Sequence, residues 1–471
     1  MNQISTRVLG SLYLFLVLAG SAAVYGEPRL NPGDKLVRIG QISEPLPLEE
    51  LVLASLIASG VTEGSLETYT SKVMALVDSA PGRDGSAVQD AEILLEWMHE
   101  NVLNRYVLNQ TKMDVLLDKG TYNCVSSAVL YLILVRSRDM TVHGVLTPDH
   151  AFCRVDGIDV ETTTAYGFDP GTRREAVDSF SGRTGFTYVP PGNYNQRQDI
   201  GEKELISLIY QNRLAELQRL RRWEEAVGLA RDRWALAGSM SAERDFRVSI
   251  SNYAADLDRK RMEIEGLVFL NQAALSLGKG HGLGDTASAL LGNAVTYYLR
   301  AGKTDEAQAL LNDEELTALV PIDFIDERFR EVKEKELEIL VKTASFQEAA
   351  AGVDKSYSEA LISRDRWGEL SIYLWSNEAR RQVAGGKWLE GWLFLQEAPG
   401  DYIQIPGWRR MEETYSNNAV VVFHNRFADA LRKENYSSAR GILDESLEYF
   451  PGSSMLKQDD ATLENLLENL Q

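Results

Sequence analysis

Gly120-Thr121-Tyr122-Asn123-Cys124-Val125-Ser126-Ser127-Ala128-Val129-Leu130-Tyr131-Leu132-Ile133-Leu134 is the stretch on which the reading of this chain turns. Behind Cys124 the run is apolar, small or aromatic all round, so a helix here has no polar face and must lie buried. Asn123 suits the cap of that helix, because its side-chain oxygen can accept from the first free amides. Cys124 then falls in the first turn, where unsatisfied amides and the positive end of the helix dipole favour negative charge on sulfur. A thiol at the mouth of a rigid, buried helix is how a nucleophilic cysteine is held while staying reachable. The plainer alternative is a small apolar core residue, the commoner fate of cysteine.

Downstream, from Thr141 to Thr163, the pattern changes. Val142, Val145, Phe152, Val155, Ile158 and Val160 alternate or cluster as strand residues do, and Asp156-Gly157 marks a two-residue hairpin turn. That turn sets a register: Val155 faces Ile158, Arg154 faces Asp159, Cys153 faces Val160 and Phe152 faces Glu161. Alternation puts His150, Phe152, Arg154, Asp159, Glu161 and Thr163 on one face, with Ala151, Cys153 and Val155 on the other. His150 and Glu161 become diagonal neighbours, a placement in which a carboxylate holds one imidazole nitrogen while the other takes a proton from a thiol. Asp159 is the rival third member, with Arg154 opposite as its expected partner. A Cys124 to Cys153 disulfide is the alternative for a chain with two cysteines, should it reach an oxidising compartment, but it needs the strand turned over.

Gly120-x-x-Asn123-Cys124 heading an apolar helix, His150-Ala151-Phe152 on a strand, and Glu161-Thr162 on the next strand together resemble the transglutaminase-like branch of the papain-like cysteine hydrolases. The likeness spans Trp97 to Thr163 and includes the Leu116-x-x-x-Gly120 approach. It implies an α+β domain, helices packed on a small antiparallel sheet, with Cys124 as nucleophile, His150 as general base and acid, and Glu161 as orienting carboxylate. It implies no cofactor. The family usually carries Asp followed by Pro-Thr at the third position, where this chain has Glu161-Thr162-Thr163. The chemistry implied is attack of Cys124 on an amide of a peptide, protein or cell-envelope substrate, giving a thioester that passes to water or to an amine.

Upstream, from Pro47 to about Tyr106, apolar residues at three and four residue spacing (Leu51, Leu53, Leu56; Ile93, Leu94, Trp97) predict helices, and Ser86-x-x-Gln89 predicts a capping box. Gly182 to Gly201, with Pro190-Pro191-Gly192 at its centre, reads as a boundary, so the expected domains are 27–198 and 199–471. Beyond it the chain reads as helix to the end. Trp223-x-x-Ala226, Thr304-x-x-Ala307, Phe346-x-x-Ala349, Trp388-x-x-Gly391 and Tyr436-x-x-Ala439 each pair a helix opening with a tiny residue three positions on. With Tyr298, Gly302 and Pro451 they resemble degenerate tetratricopeptide-type repeats, the alternative being an irregular helical bundle. The resemblance implies an all-α solenoid offering a surface to a protein partner. It also leaves open a non-catalytic scaffold in which the cysteine domain is a relic. Gly278-x-Gly280-x-Gly282-x-Gly284 lacks the preceding strand of a phosphate loop and reads as a connector.

The first 26 residues carry one charge, Arg7, before an apolar run from Val8 to Val24 and small residues after it, the order of a secretory signal peptide cut before Glu27. An uncleaved anchor is the alternative. The expected location is periplasmic or extracellular. Across 471 residues, 69 acids against 49 bases leave a charge of -20, which repels nucleic acid and anionic lipid. Two cysteines and five scattered histidines offer no metal-ligand spacing.

Overall fold

The structure, a computed structural model, describes residues 28–148, 150–169 and 196–469. The expected signal segment and most of the expected boundary, Gly182 to Asn195, lie outside the described residues. The described residues are mostly helical, 70 % of them, in nineteen α-helices with small sheets. It forms two compact units, the first reaching Leu291 and the second beginning at Gly292.

The first unit opens with α1 (Asp34–Gln41), α2 (Leu48–Ser59), α3 (Leu66–Ser79) and α4 (Ala87–Asn101). Ser86 caps α4 in the expected box, its hydroxyl accepting from the Gln89 amide while the Gln89 side chain accepts from the Ser86 amide. Helix α4 ends before the expected Tyr106. The amides of Asn104 and Arg105 donate instead to the Gly120 carbonyl at 2.7 and 3.2 Å, so a distant acceptor replaces those of a further helical turn. Arg105–Tyr106 becomes β1, pairing in parallel with β2 (Thr121–Tyr122). Between them α5 (Met113–Lys119) is closed by Gly120 at φ 64°. A Cβ there would stand 2.2 Å from Asn104 Nδ2 and 2.7 Å from the Val102 carbonyl oxygen, so the turn that delivers the chain to Cys124 requires glycine.

Helix α6 (Cys124–Arg136) is buried at every residue from Val125 to Val135, as its unbroken apolar sequence demands. It packs against β3 (Val142–Leu146) and β4 (Ala151–Val155) of a four-stranded sheet ordered β5-β4-β3-β6, where β5 is Ile158–Val160 and β6 is Gln198–Ile200. All three pairings are antiparallel. The β4–β5 register is the expected one for Cys153 opposite Val160, Arg154 opposite Asp159 and Val155 opposite Ile158, but β5 ends at Val160 and the expected Phe152–Glu161 pair is not in the ladder, the Glu161 amide going to the Gly167 carbonyl instead. Asp156 at φ 47° and Gly157 at φ 83° make the tight turn that fixes it. Strand β6 thus comes from the stretch around residue 198. Helix α7 (Glu202–Arg219) follows and lays Leu205, Ile206 and Ile209 into the same core as α6. Helices α8 (Trp223–Ala237), α9 (Met240–Arg259) and α10 (Glu263–Leu277) then stack each on the one before.

The glycine run joins α10 to α11 (Gly284–Arg300). In the second unit α12 (Thr304–Leu311), α13 (Ile322–Thr343), α14 (Phe346–Ser358), α15 (Arg364–Gln382), α16 (Trp388–Gln396), α17 (Trp408–Arg432), α18 (Tyr436–Tyr449) and α19 (Ser454–Asn469) again pack in sequence order. Trp223, Thr304, Phe346, Trp388 and Tyr436 each open a helix. The small residues three positions on allow close approach: Ala226, Ala307, Ala349 and Ala439 are fully buried, and a Cβ at Gly391 would lie 2.6 Å from Val383 Cγ2.

Candidate active site

Asn123 fixes the mouth of α6. Its Oδ1 accepts from the amides of Val125 at 3.1 Å and Ser126 at 3.0 Å, and the Ser126 hydroxyl oxygen accepts in return from the Asn123 amide at 3.0 Å. Asn123 is itself held by its Nδ2, which donates to the Leu108 carbonyl at 3.1 Å. Cys124 therefore sits on a helix start that cannot fray, half-buried, with a free thiol. Ser127, one turn on, is tied to Thr162 by a hydroxyl pair at 2.9 Å, which draws the end of the hairpin onto the same helix.

The hairpin brings His150 and Glu161 together, His150 Nε2 lying 2.5 Å from Glu161 Oε2. Both side chains are nearly enclosed, at 11 % and 3 % exposure, so the charges interact across a medium that screens them little. The other carboxylate oxygen, Oε1, accepts from the Thr163 amide at 3.1 Å and its hydroxyl at 2.7 Å. Burial works against a charged imidazole, yet the Glu161 charge and hydrogen bonds to Cys124 and Glu161 hold His150 well above its ordinary value. Burial likewise opposes ionised Glu161, and the His150 charge with the Thr163 donors brings it below the usual carboxylate range. With Nε2 engaged by Glu161, Nδ1 is the ring nitrogen left to meet the thiol. Glutamate at the third position reaches the imidazole with its longer side chain and is oriented by Thr163, the residue that ends the Glu161-Thr162-Thr163 motif.

Beyond Glu161 the backbone doubles back. The Glu161 amide donates to the Gly167 carbonyl at 2.8 Å, and Phe168 bridges to Val160. The carbonyls of this turn are also gripped: His99 Nε2 is 3.0 Å from the Thr162 carbonyl oxygen, and the Tyr122 hydroxyl donates to that of Thr163 at 3.1 Å. The third member of the site is therefore braced from α4, β2 and α6.

Asp159, two residues earlier, faces Arg154 at 2.8 Å and also receives Arg197 at 2.9 Å, while Arg154 reaches Asp199 at 2.8 Å. It has no part in the imidazole pair. Cys153 points to the other side, fully buried, its thiol 3.4 Å from the Ala128 carbonyl oxygen, and burial followed by the Glu161 charge pushes its ionisation up. Both cysteines are free, so the disulfide alternative is absent.

Sequence reasoning missed Tyr106. Strand β1 sets its ring edge-on to Tyr122 at 5.8 Å, and burial followed by the neighbouring Cys124 and Glu161 charges pushes its ionisation up. The two-residue strand has no periodicity to betray it. Tyr106, Tyr122 and Thr163 also line a cavity of about 500 Å³ whose outer wall includes Glu96, His99 and Glu100. Among the described residues no group of acids, histidines and cysteines is arranged to hold a metal ion, and no helix is long and apolar enough to cross a membrane. Set against known proteins, the chain matches no family model and no curated protein.

Proposed function

We propose that this chain is an exported cysteine-dependent amide hydrolase or acyl transferase of transglutaminase-like type, with a papain-like arrangement around α6 and tetratricopeptide-like helices that bind a protein partner. The observation that carries this reading is the 2.5 Å His150–Glu161 pair held against a thiol at the mouth of a buried helix. Cys124 gives its proton to His150 Nδ1 as its sulfur bonds the carbonyl carbon, and Glu161 stabilises the imidazolium so formed. The tetrahedral intermediate collapses, the C–N bond breaks, and His150 returns the proton to the leaving amine. Water, deprotonated by His150, then cleaves the thioester; an amine entering by the same route gives transfer instead. The Val8 to Val24 segment supports export, and the ordered stacking of α12 to α19 supports the repeat reading.

Labelling tests it. Iodoacetamide at neutral pH should alkylate Cys124 and leave Cys153, which is buried, unmodified until the protein unfolds. His150→Ala should slow Cys124 by about tenfold or more. Equal labelling of the two thiols, or indifference to His150→Ala, overturns the proposal.

A further inference from the structure

We infer that a cavity of about 420 Å³ in the second unit, bracketed by Arg380 and Arg410, binds a small amphipathic anion, an aromatic or aliphatic body carrying one oxyanion group. The site shares no residue with the cysteine chemistry proposed above.

The sequence builds this cavity where α15, α16 and α17 meet. Ile372, Ser376 and Arg380 are spaced four residues apart, so they run down one stripe of α15, and Val383 continues the wall past the helix end. Trp388 opens α16 and stands edge-on to Tyr415 of α17 at 5.5 Å. Of the bulky-to-tiny pairs, Trp388-x-x-Gly391 is the one whose small member is glycine, and the packing requires it. A Cβ at Gly391 would lie 2.6 Å from Val383 Cγ2 and also 3.0 Å from Tyr415 Cδ1. The aromatic part of the wall is therefore held by close packing, and the Tyr415 hydroxyl is fixed by donating to the Ser376 carbonyl at 3.3 Å.

Charge decides what enters. Acids outnumber bases 69 to 49 along the chain, yet this wall holds two arginines and no acid. The cavity beside Tyr106, by contrast, sets Glu96 and Glu100 next to Arg105. Arg381, the residue after Arg380, pairs with Glu378 at 3.1 Å, and Arg366 pairs with Glu369 at 3.0 Å. Arg380 has no acid three or four positions away on its helix, and Glu413, the one acid so spaced from Arg410, lies off the cavity wall. Among the described residues neither guanidinium has a carboxylate partner. Arg410 also stands in the first turn of α17, which no side chain caps and no acid enters, so the helix dipole adds to its positive field. Two guanidiniums offer planar donors to an oxyanion, and Trp388, Met411 and Ile372 offer apolar surface to the body behind it. The volume is that of a small-molecule pocket.

The test titrates the full chain with 8-anilinonaphthalene-1-sulfonate and with N-phenyl-1-naphthylamine, which has the same rings and no sulfonate. Fluorescence should report the sulfonate binding at one site with Kd on the order of 10–100 µM, and the amine at least about tenfold weaker. Arg380→Gln combined with Arg410→Gln should weaken the sulfonate about tenfold or more and leave the amine within about twofold, whereas Arg381→Gln should change neither. Both arginines are exposed, so the melting temperature should hold; Arg410→Glu alone reads the site should the double variant disturb the fold. 1-Naphthoate should displace the dye, and inorganic phosphate at the same concentration should not. Equal affinity for the two dyes, a loss in Arg381→Gln as large as in the double variant, or displacement by inorganic phosphate overturns the assignment. Displacement by a blocked acidic peptide but not by 1-naphthoate overturns it in favour of a peptide groove.

Discussion

Glu161 and Asp159 stand two residues apart at one end of the same hairpin, each within 3 Å of a cationic partner, and their surroundings differ in a way that decides what each can do. Around Asp159 the partners are Arg154 and Arg197, with Asp199 completing a network of guanidinium and carboxylate. A guanidinium does not give up its proton, so this network can hold strands together and nothing more. Around Glu161 the partner is an imidazole, which unlike a guanidinium can give up a proton, and the second carboxylate oxygen is already occupied by Thr163. The same fold thus carries a structural clamp and a movable proton side by side. The lesson is that the identity of the cation, more than the distance, separates one role from the other.

The largest effect that can break this contrast is in Glu161→Gln. It should retain the fold and a free Cys124 but lose imidazole orientation and charge stabilisation, lowering turnover of an amide substrate, found by screening, by on the order of 10⁴ as in other triads. Thermal melts beside the kinetics separate this from misfolding.

A second effect is in the pH dependence of stability. His150 is raised above 6.5, so its contribution is complete below that pH and is lost as pH climbs through its higher folded value. Glu161 is lowered below 4.5, so its contribution is present above that pH and is lost as pH falls through its lower folded value. Melting temperature should therefore plateau between about 4.5 and 6.5 for this pair, and Glu161→Gln should flatten both shoulders. Shoulders unchanged in the variant would assign them elsewhere.

The smallest effect is expected from Asp159→Asn. Arg154 keeps Asp199, so the loss should be about 1 kcal/mol of stability by chemical denaturation, with turnover within about twofold. Should Asp159→Asn abolish turnover while Glu161→Gln spares it, the two carboxylates exchange roles.

Much of this was readable in the residues because local rules were strong where they applied. Asp156-Gly157 admits one register, and that register carries Arg154 to Asp159 and His150 to Glu161. Asn123 before an unbroken apolar run leaves little choice of helix start, and the bulky-to-tiny pairs mark helix openings from Trp223 to Tyr436. What escaped was held by long-range partners. Arg105–Tyr106 leaves the helical pattern because the Gly120 carbonyl captures the amides of Asn104 and Arg105. The turn from Thr162 to Gly167 is set by His99, Tyr122 and Ser127, residues 35 to 63 positions away. Two-residue strands and side-chain braces leave no periodic trace, so Tyr106, and the bonds by which Thr163 orients Glu161, emerge only in three dimensions.

Glu202, the first residue of α7, bonds the Leu46 amide at 2.6 Å and pairs with Arg136 at the far end of α6 at 2.7 Å, while β6 just before it borders β3. The seam between the two halves of the sequence is thus sewn through the body that carries the site. A fragment ending near residue 198 would forfeit an edge strand, a buried counter-ion and part of a shared core, so the cysteine region is a poor candidate for transplantation as a module. Any shuffling of these parts, in evolution or at the bench, would have to carry α7 along.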